Sequence, residues 1–323
     1  MKKRLMLGLG IVLGLISGVA LAQESSEFPA RPVKVIVPFT PGGTSDLAAR
    51  FFSQQLERRF KLPFVVENRP GGNGAVAVAA LRTAPADGYS ILLGSNSLMA
   101  VNPIMVKDLP YDPVRDLKPL SGLTRGMLVI AVKPDSPIRT LGDLVDNAKR
   151  RSGAMTVGTI APGYQLAMEW LARQADFRFI NTPYKGGAAA FSDLMGGHID
   201  AACVDMSGVE PLLKSGKLRA VAVTGDHRHP DLPDVPTVKE SGYPDYVTYL
   251  WVSFFMHADT SPERLDKLAG ALRAALESPE AKTFAASTGG ELMPFGPEAM
   301  RSFQISEIQR FQRIADAAGI KPQ

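Results

Sequence analysis

The chain predicts an α/β protein built as two lobes, and three features of its 323 residues carry that prediction. Short apolar β-type runs alternate with amphipathic helical stretches, the pattern of a largely parallel sheet covered by helices. A chain of this length buries about three quarters of its surface and commonly divides into more than one core. Loops rich in Gly, Ser and Thr follow the strands, where open α/β sheets bind their ligands.

The N-terminus is an export signal by its pattern. Lys2, Lys3 and Arg4 precede an apolar run from Leu5 to Ile16, and Ala20-Leu21-Ala22 has the small-x-small form of a signal-peptidase site. Residues 1–22 are therefore expected to be cleaved, leaving Gln23 first. The run falls short of the ~20 residues that a membrane span needs. No Cys follows the cleavage site, so a lipid anchor is not expected. Cleavage removes three basic and no acidic residues, lowering the net charge from +4 to +1. Without a basic excess or a Lys/Arg-rich run, a nucleic-acid role has little support. Cys203, the single cysteine, sits in the apolar run Ile199–Val204. It reads as a buried, inert thiol rather than a nucleophile.

The elements follow in order. Val33–Phe39 reads as a strand ended by Pro38, followed by a loop and a helix from Ser45 to Arg59 with Leu47, Phe51, Phe52 and Leu56 on one side. Pro63–Glu67 is a second strand, Ala75–Arg82 a helix and Tyr89–Gly94 a third strand. In the middle, strands are predicted at Leu128–Val132, Met155–Gly158, Phe179–Tyr184, Ile199–Asp205 and Leu218–Val223. Helices are predicted at Leu141–Arg151, Gln165–Gln174 and Ala188–Met195. His227–Pro236 reads as a charged, Pro-rich turn and Thr248–Met256 as an aromatic strand. Ser261-Pro262-Glu263 has an N-cap, a first-turn Pro and an acid at the positive end of a helix. Helices are expected over Glu263–Leu276, Pro279–Thr288 and Pro297–Ala318.

Three loops carry the candidate chemistry. Phe39-Thr40-Pro41-Gly42-Gly43-Thr44 joins a strand to a helix. Its glycines allow close backbone approach, and the helix start supplies unpaired N–H groups and a positive dipole end suited to an anion. The alternative is a plain turn in which Asp46 only caps the helix. Gly94-Ser95-Asn96-Ser97 offers small hydrogen-bonding side chains after the third strand. Gly158-Thr159-Ile160-Ala161-Pro162-Gly163-Tyr164 does the same in the second lobe. Facing each other, such loops would pinch a small ligand. The chain has no Gly-x-Ser-x-Gly elbow, no Walker-type loop and no His-Glu-x-x-His. His227 and His229 read as residues of a solvent-exposed turn rather than metal ligands. Gly72-Asn73-Gly74-Ala75-Val76-Ala77 fits a loose dinucleotide fingerprint. It stands too far from its strand, and Asp87 comes too early for the ribose-binding acid.

The motifs taken together resemble the Bug-type solute-binding receptors of tripartite tricarboxylate transporters. They are Val37–Asp46, Val66–Gly74, Ala86-Asp87-Gly88-Tyr89, Leu109-Pro110-Tyr111-Asp112-Pro113, Pro183–Ala190, Gly196-Gly197-His198-Ile199-Asp200, Ser215–Ala220, Asp234-Val235-Pro236-Thr237 and Glu240-Ser241-Gly242-Tyr243-Pro244. They span essentially the whole mature chain in order. The resemblance implies a Venus-flytrap of the type II periplasmic binding protein fold, with residues 23–125 and 226–323 forming one lobe and 126–225 the other. It implies hinges near Gly122–Leu128 and Val223–Asp226. It also implies a periplasmic, monomeric receptor that needs no cofactor and no metal, and that hands a small carboxylate or amino acid to transporter membrane subunits. A ligand-sensing module and a secreted enzyme are the alternatives.

The resemblance implies a site in which two facing loops hold a carboxylate, partly through water. By that reading the ligand-binding residues are Phe39, Thr40, Gly42, Gly43, Thr44, Ser95, Asn96, Ser97, Thr159, Ala161, Gly163, Tyr164 and Asp205. Two positions depart from the family pattern. Pro162 lacks an N–H where a donor is usual, and Tyr164 stands near the usual His, which suggests a less standard or aromatic acid. Asp205 at a strand end suits an ammonium or hydroxyl group, or alternatively caps a turn.

Overall fold

The structure is a computed structural model and describes residues 28–322. The predicted signal peptide lies outside the described residues. No described helix is long and apolar enough to cross a membrane.

The chain alternates as its sequence predicts through β1 (Val33–Val37), α1 (Thr44–Phe60), β2 (Phe64–Asn68), α2 (Ala75–Arg82) and β3 (Ser90–Ser95). A π-helical turn at Ser97–Val101 and the short α3 (Asn102–Met105) lead to β4 (Leu117–Val132). Then come α4 (Leu141–Arg150), β5 (Thr156–Thr159), α5 (Pro162–Gln174), β6 (Ile180–Pro183), α6 (Gly187–Gly196), β7 (Ala201–Asp205), α7 (Met206–Lys214) and β8 (Arg219–Val223). The chain finishes with β9 (Tyr249–His257), α8 (Pro262–Leu276), α9 (Pro279–Ser287), β10 (Gly290–Leu292) and α10 (Pro297–Ala318).

Two sheets share one strand. The first has the order β2-β1-β3-β9-β4, with β10 on the other side of β4. The second has the order β4-β7-β5-β6, with β8 flanking β4. Register fixes the exchange point. Residues up to Met127 of β4 pair with β9, and from Leu128 onward they pair with β7. The sheets are mixed rather than parallel. β9 runs antiparallel between β3 and β4, because it returns along the strand that left the first lobe.

Each sheet is buried on both faces, which is why its strands read as continuous apolar runs. In the first lobe Val35 and Val37 face α1 and α8, packing with Phe52, Leu56, Leu268 and Leu272. Ile36, one residue out of phase, faces Val78, Leu81, Met300 and Phe311. In the second lobe Ile130 and Val132 face Leu144, Met168 and Leu171, while Val129 and Ala131 face Leu194 and Val209. Cys203 is fully buried in this second core, and burial pushes its thiol up.

Several stretches differ from the sequence reading, among them the unpredicted turn at Ser97–Val101, α3 and β10. β4 begins at Leu117, eleven residues before the predicted strand, because register shifts near Pro119 and Gly122 interrupt its alternation. Ser207-Gly208 opens helix α7 instead of a turn. Residues 226–248, assigned by the resemblance to the first lobe, pack on the second. Val238 and Tyr246 lie in its core, Tyr246 stacks on Trp170 at 4.4 Å and its hydroxyl donates to the Ala167 carbonyl at 2.9 Å.

Candidate functional site

The loop after β1 is held from behind. Pro38 closes the strand, and Gly42 turns the chain at φ +92°, where a Cβ is disfavoured. The Gly42 N–H donates to Asp46 Oδ2 at 3.0 Å. Asp46 is 2 % exposed and also accepts from Arg50 Nε at 2.9 Å and Asn68 Nδ2 at 2.9 Å. Burial pushes the Asp46 carboxyl up, but these bonds outweigh it and hold the group below its ordinary range. Asn68 Nδ2 donates to the Phe39 carbonyl as well, at 3.0 Å. The Asn-Arg-Pro motif thus braces the loop, and the Gly-rich stretch behind it forms a single 3₁₀ turn, Gly72–Gly74, rather than a nucleotide-binding turn. Gly43 is the N-cap of α1 and contributes no side-chain cap. The first-turn N–H groups of Thr44 and Ser45 consequently have no partner within the helix.

Ser95, Asn96 and Ser97 leave β3 fully buried. Ser97 Oγ accepts from the Gly163 N–H at 3.1 Å, a bond that spans the two lobes. Asn96 Oδ1 is buried and has no hydrogen-bond partner.

The start of α5 is not the anion grip that the sequence suggests. Ala161 is its N-cap and Pro162 its first residue, which has no N–H. The Gly163 N–H is used by Ser97, and the Tyr164 N–H turns inward to the Ala161 carbonyl at 3.0 Å. Of the two facing helix starts, only that of α1 keeps free donors.

Asp205 closes β7 and is 7 % exposed. It does not cap α7 through its side chain. Its carboxylate instead reaches across the lobes. Oδ2 accepts from the hydroxyls of Thr44 and Ser207, and Oδ1 faces the Tyr164 hydroxyl at 3.4 Å. Burial, then the neighbouring Asp205 charge, raises the Tyr164 phenol well above its usual value.

These groups surround a cavity of about 40 Å³ between the lobes. That is room for only about three water molecules, so the lobes must part for a ligand to enter. Of the predicted residues, Phe39, Thr44, Ser95, Asn96, Ser97, Tyr164 and Asp205 line it. Thr40, Gly42, Gly43, Thr159, Ala161 and Gly163 do not line it. Thr159 Oγ1 donates to Asn181 Oδ1 at 2.7 Å, and Thr40 lies against Gly186. Sequence reasoning missed Ser45, Thr124–Met127, Met206, Ser207, Leu250–Val252 and Thr288–Gly290. Ser45, Met206 and Ser207 lie within two residues of predicted ones. The others arrive from the crossing strands and the α9–β10 turn, and no local signal marks them.

On the cavity wall Arg125 is paired with Glu291, with N–O distances of 2.8 and 2.6 Å, and it stacks over Tyr249. His229 is not part of an exposed turn. It is 3 % exposed, and its Nε2 meets the Gly289 carbonyl at 2.9 Å. No group of three metal-ligating side chains occurs among the described residues.

Comparison with known proteins agrees with this architecture. Residues 48–320 match the family described as tripartite tricarboxylate transporter family receptor. The chain is 32 % identical to protein BugT of Bordetella pertussis, with 98 % of each chain covered. Among solved structures it is similar to R. palustris Rpa4515 with adipate, at 30 % identity and TM-score 0.88, covering 92 % of this chain and 100 % of that one. The periplasmic binding protein BugD aligns at 28 % identity and TM-score 0.85, with 92 % and 100 % covered. MatC from Rhodopseudomonas palustris, solved with malate, aligns at 25 % identity and TM-score 0.83, with 89 % and 99 % covered.

Proposed function

The chain belongs to the tripartite tricarboxylate transporter receptor family, and on that premise we propose that it is a periplasmic receptor that captures a small carboxylate between its lobes. The observation that carries the reading is the start of α1, where Thr44 and Ser45 present free N–H groups to a cavity walled by both lobes. Such a start favours an anion by its donors and its dipole. Relatives of the same fold bind adipate and malate.

Capture works by rotation of the lobes. The first comprises residues 28–126 and 249–322, the second residues 127–248. The hinge lies where the chain crosses, at Gly126–Leu128, Val223–Asp226 and the approach to β9. Thr224 ties the crossings together, accepting from the Leu128 N–H at 2.9 Å and donating to the Thr248 carbonyl at 2.7 Å. Export follows from the signal-like residues 1–22, and the closed receptor, a monomer, docks on transporter membrane subunits. It acts as a receptor rather than an enzyme, holding its ligand with hydroxyls and N–H groups.

The test is a thermal-shift screen of residues 23–323 against mono- and dicarboxylates, hydroxy acids and amino acids. A ligand at 100 times its Kd should add about 2.7 kcal/mol of stability. No shift with any acid in the panel would sink the reading.

A further inference from the structure

Resting on the carboxylate reading above, we propose that the cleft is built for an α-amino acid with an apolar side chain. The argument begins with Asp205. This carboxylate lines the cavity and is nearly buried, yet among the described residues it forms no ion pair. Its partners are three hydroxyls, those of Thr44, Ser207 and Tyr164, and the Tyr164 contact of 3.4 Å leaves Oδ1 able to accept again. Arg125, the sole cation lining the cavity, is spent on Glu291. A buried charge is ordinarily paired, and here the missing partner is a cation that the ligand must bring. A second observation agrees. Asn96, a residue of the same cavity lining that is 2 % exposed, carries a buried Oδ1 acceptor without a donor. The site therefore holds two acceptors in want of N–H groups, which an ammonium supplies and a plain carboxylate does not.

Spacing fixes where the ammonium stands. The carboxylate receptor is the first turn of α1, and Thr44 in that turn is hydrogen-bonded to Asp205. Adjacent receptors call for adjacent groups, a carboxylate and an ammonium attached to the same carbon. The rest of the ligand meets Phe39, Met127, Met206, Leu250 and Trp251, a wall without a free charge. An apolar side chain fits it. A second carboxylate on the ligand would meet no unpaired cation there.

Isothermal titration calorimetry on residues 23–323 tests this with L-leucine, L-methionine, L-phenylalanine, 2-hydroxy-4-methylpentanoate, 4-methylpentanoate and adipate. At least one of the amino acids should bind about 10- to 150-fold tighter than 4-methylpentanoate, the range expected for hydrogen bonds to a charged group. Asp205→Asn should abolish that preference while leaving 4-methylpentanoate binding equal or tighter. The wild-type comparison stands even if the variant does not fold. Adipate, 4-methylpentanoate or the hydroxy acid binding as tightly as the best amino acid overturns the proposal and leaves the carboxylate reading intact. Failure of all six to bind overturns the proposal, and the carboxylate reading falls with it only when the wider thermal-shift panel is also silent.

Discussion

Gly163 does not need to be glycine for its own backbone, which is helical. The reason lies in the other lobe. A Cβ there would sit 2.7 Å from both Asn96 Nδ2 and Ser97 Oγ, two buried groups that would have to shift. Gly163→Ala should therefore leave the melting temperature of the unliganded protein unchanged or slightly raised, since alanine favours a helix. Overpacking costs about 1–3 kcal/mol, so ligand affinity should fall about 5- to 150-fold, measured by titration calorimetry. Asp46 gives a pH prediction. Its folded carboxyl is held below its ordinary value of 3.8, so its contribution to stability is complete above that value and is lost as pH falls through the folded one. Asp46→Asn should be less stable at pH 7 and show a shallower loss of stability from about pH 4 downward in urea titrations.

At the scale of elements, β4 decides the architecture, because it is an inner strand of both sheets. Its crossing point depends on Thr224, which is fully buried. Thr224→Val keeps the shape but leaves the Leu128 N–H without its acceptor. Chemical denaturation should show a loss of about 1–3 kcal/mol. The same strand shows what the sequence makes legible. Leu128–Val132 was readable because five apolar residues stand together. Pro119, Ser121, Gly122, Thr124 and Gly126 hid the first half, since bulges against β9 break the period on which strand reading depends. Helix α7 was hidden by Gly208 and by Pro211 inside it. For the site, Thr44, Ser95, Asn96, Ser97, Tyr164 and Asp205 were legible because each stands at or just after the end of a strand. Trp251 and Gly290 were not, because they reach the cavity through pairing with β4. The sequence pointed to two helix starts as the grip. Only the hydrogen bonds of Gly163 and Tyr164 show that α5 has spent its donors.

At the scale of the whole molecule, the lobes meet through apolar surface as well as polar loops. Leu166 belongs to α5 of the second lobe, yet it is buried with Ile36, Met99 and Phe311 of the first. Removing buried methyl groups costs about 2–5 kcal/mol when a cavity remains. Leu166→Ala should thus weaken ligand binding more than it lowers the melting temperature of the unliganded protein, because its socket is complete only when the lobes are together. The thermodynamic consequence reaches beyond any single contact. Burying such a side chain on closure removes hydrated hydrocarbon from water, which lowers heat capacity. The binding enthalpy should grow more exothermic with warming, by more than the ligand's own surface accounts for, and Leu166→Ala should flatten that slope. Cooling weakens the same force, so the apolar share of the receptor's grip should fade in the cold while the hydrogen bonds around Asp205 persist.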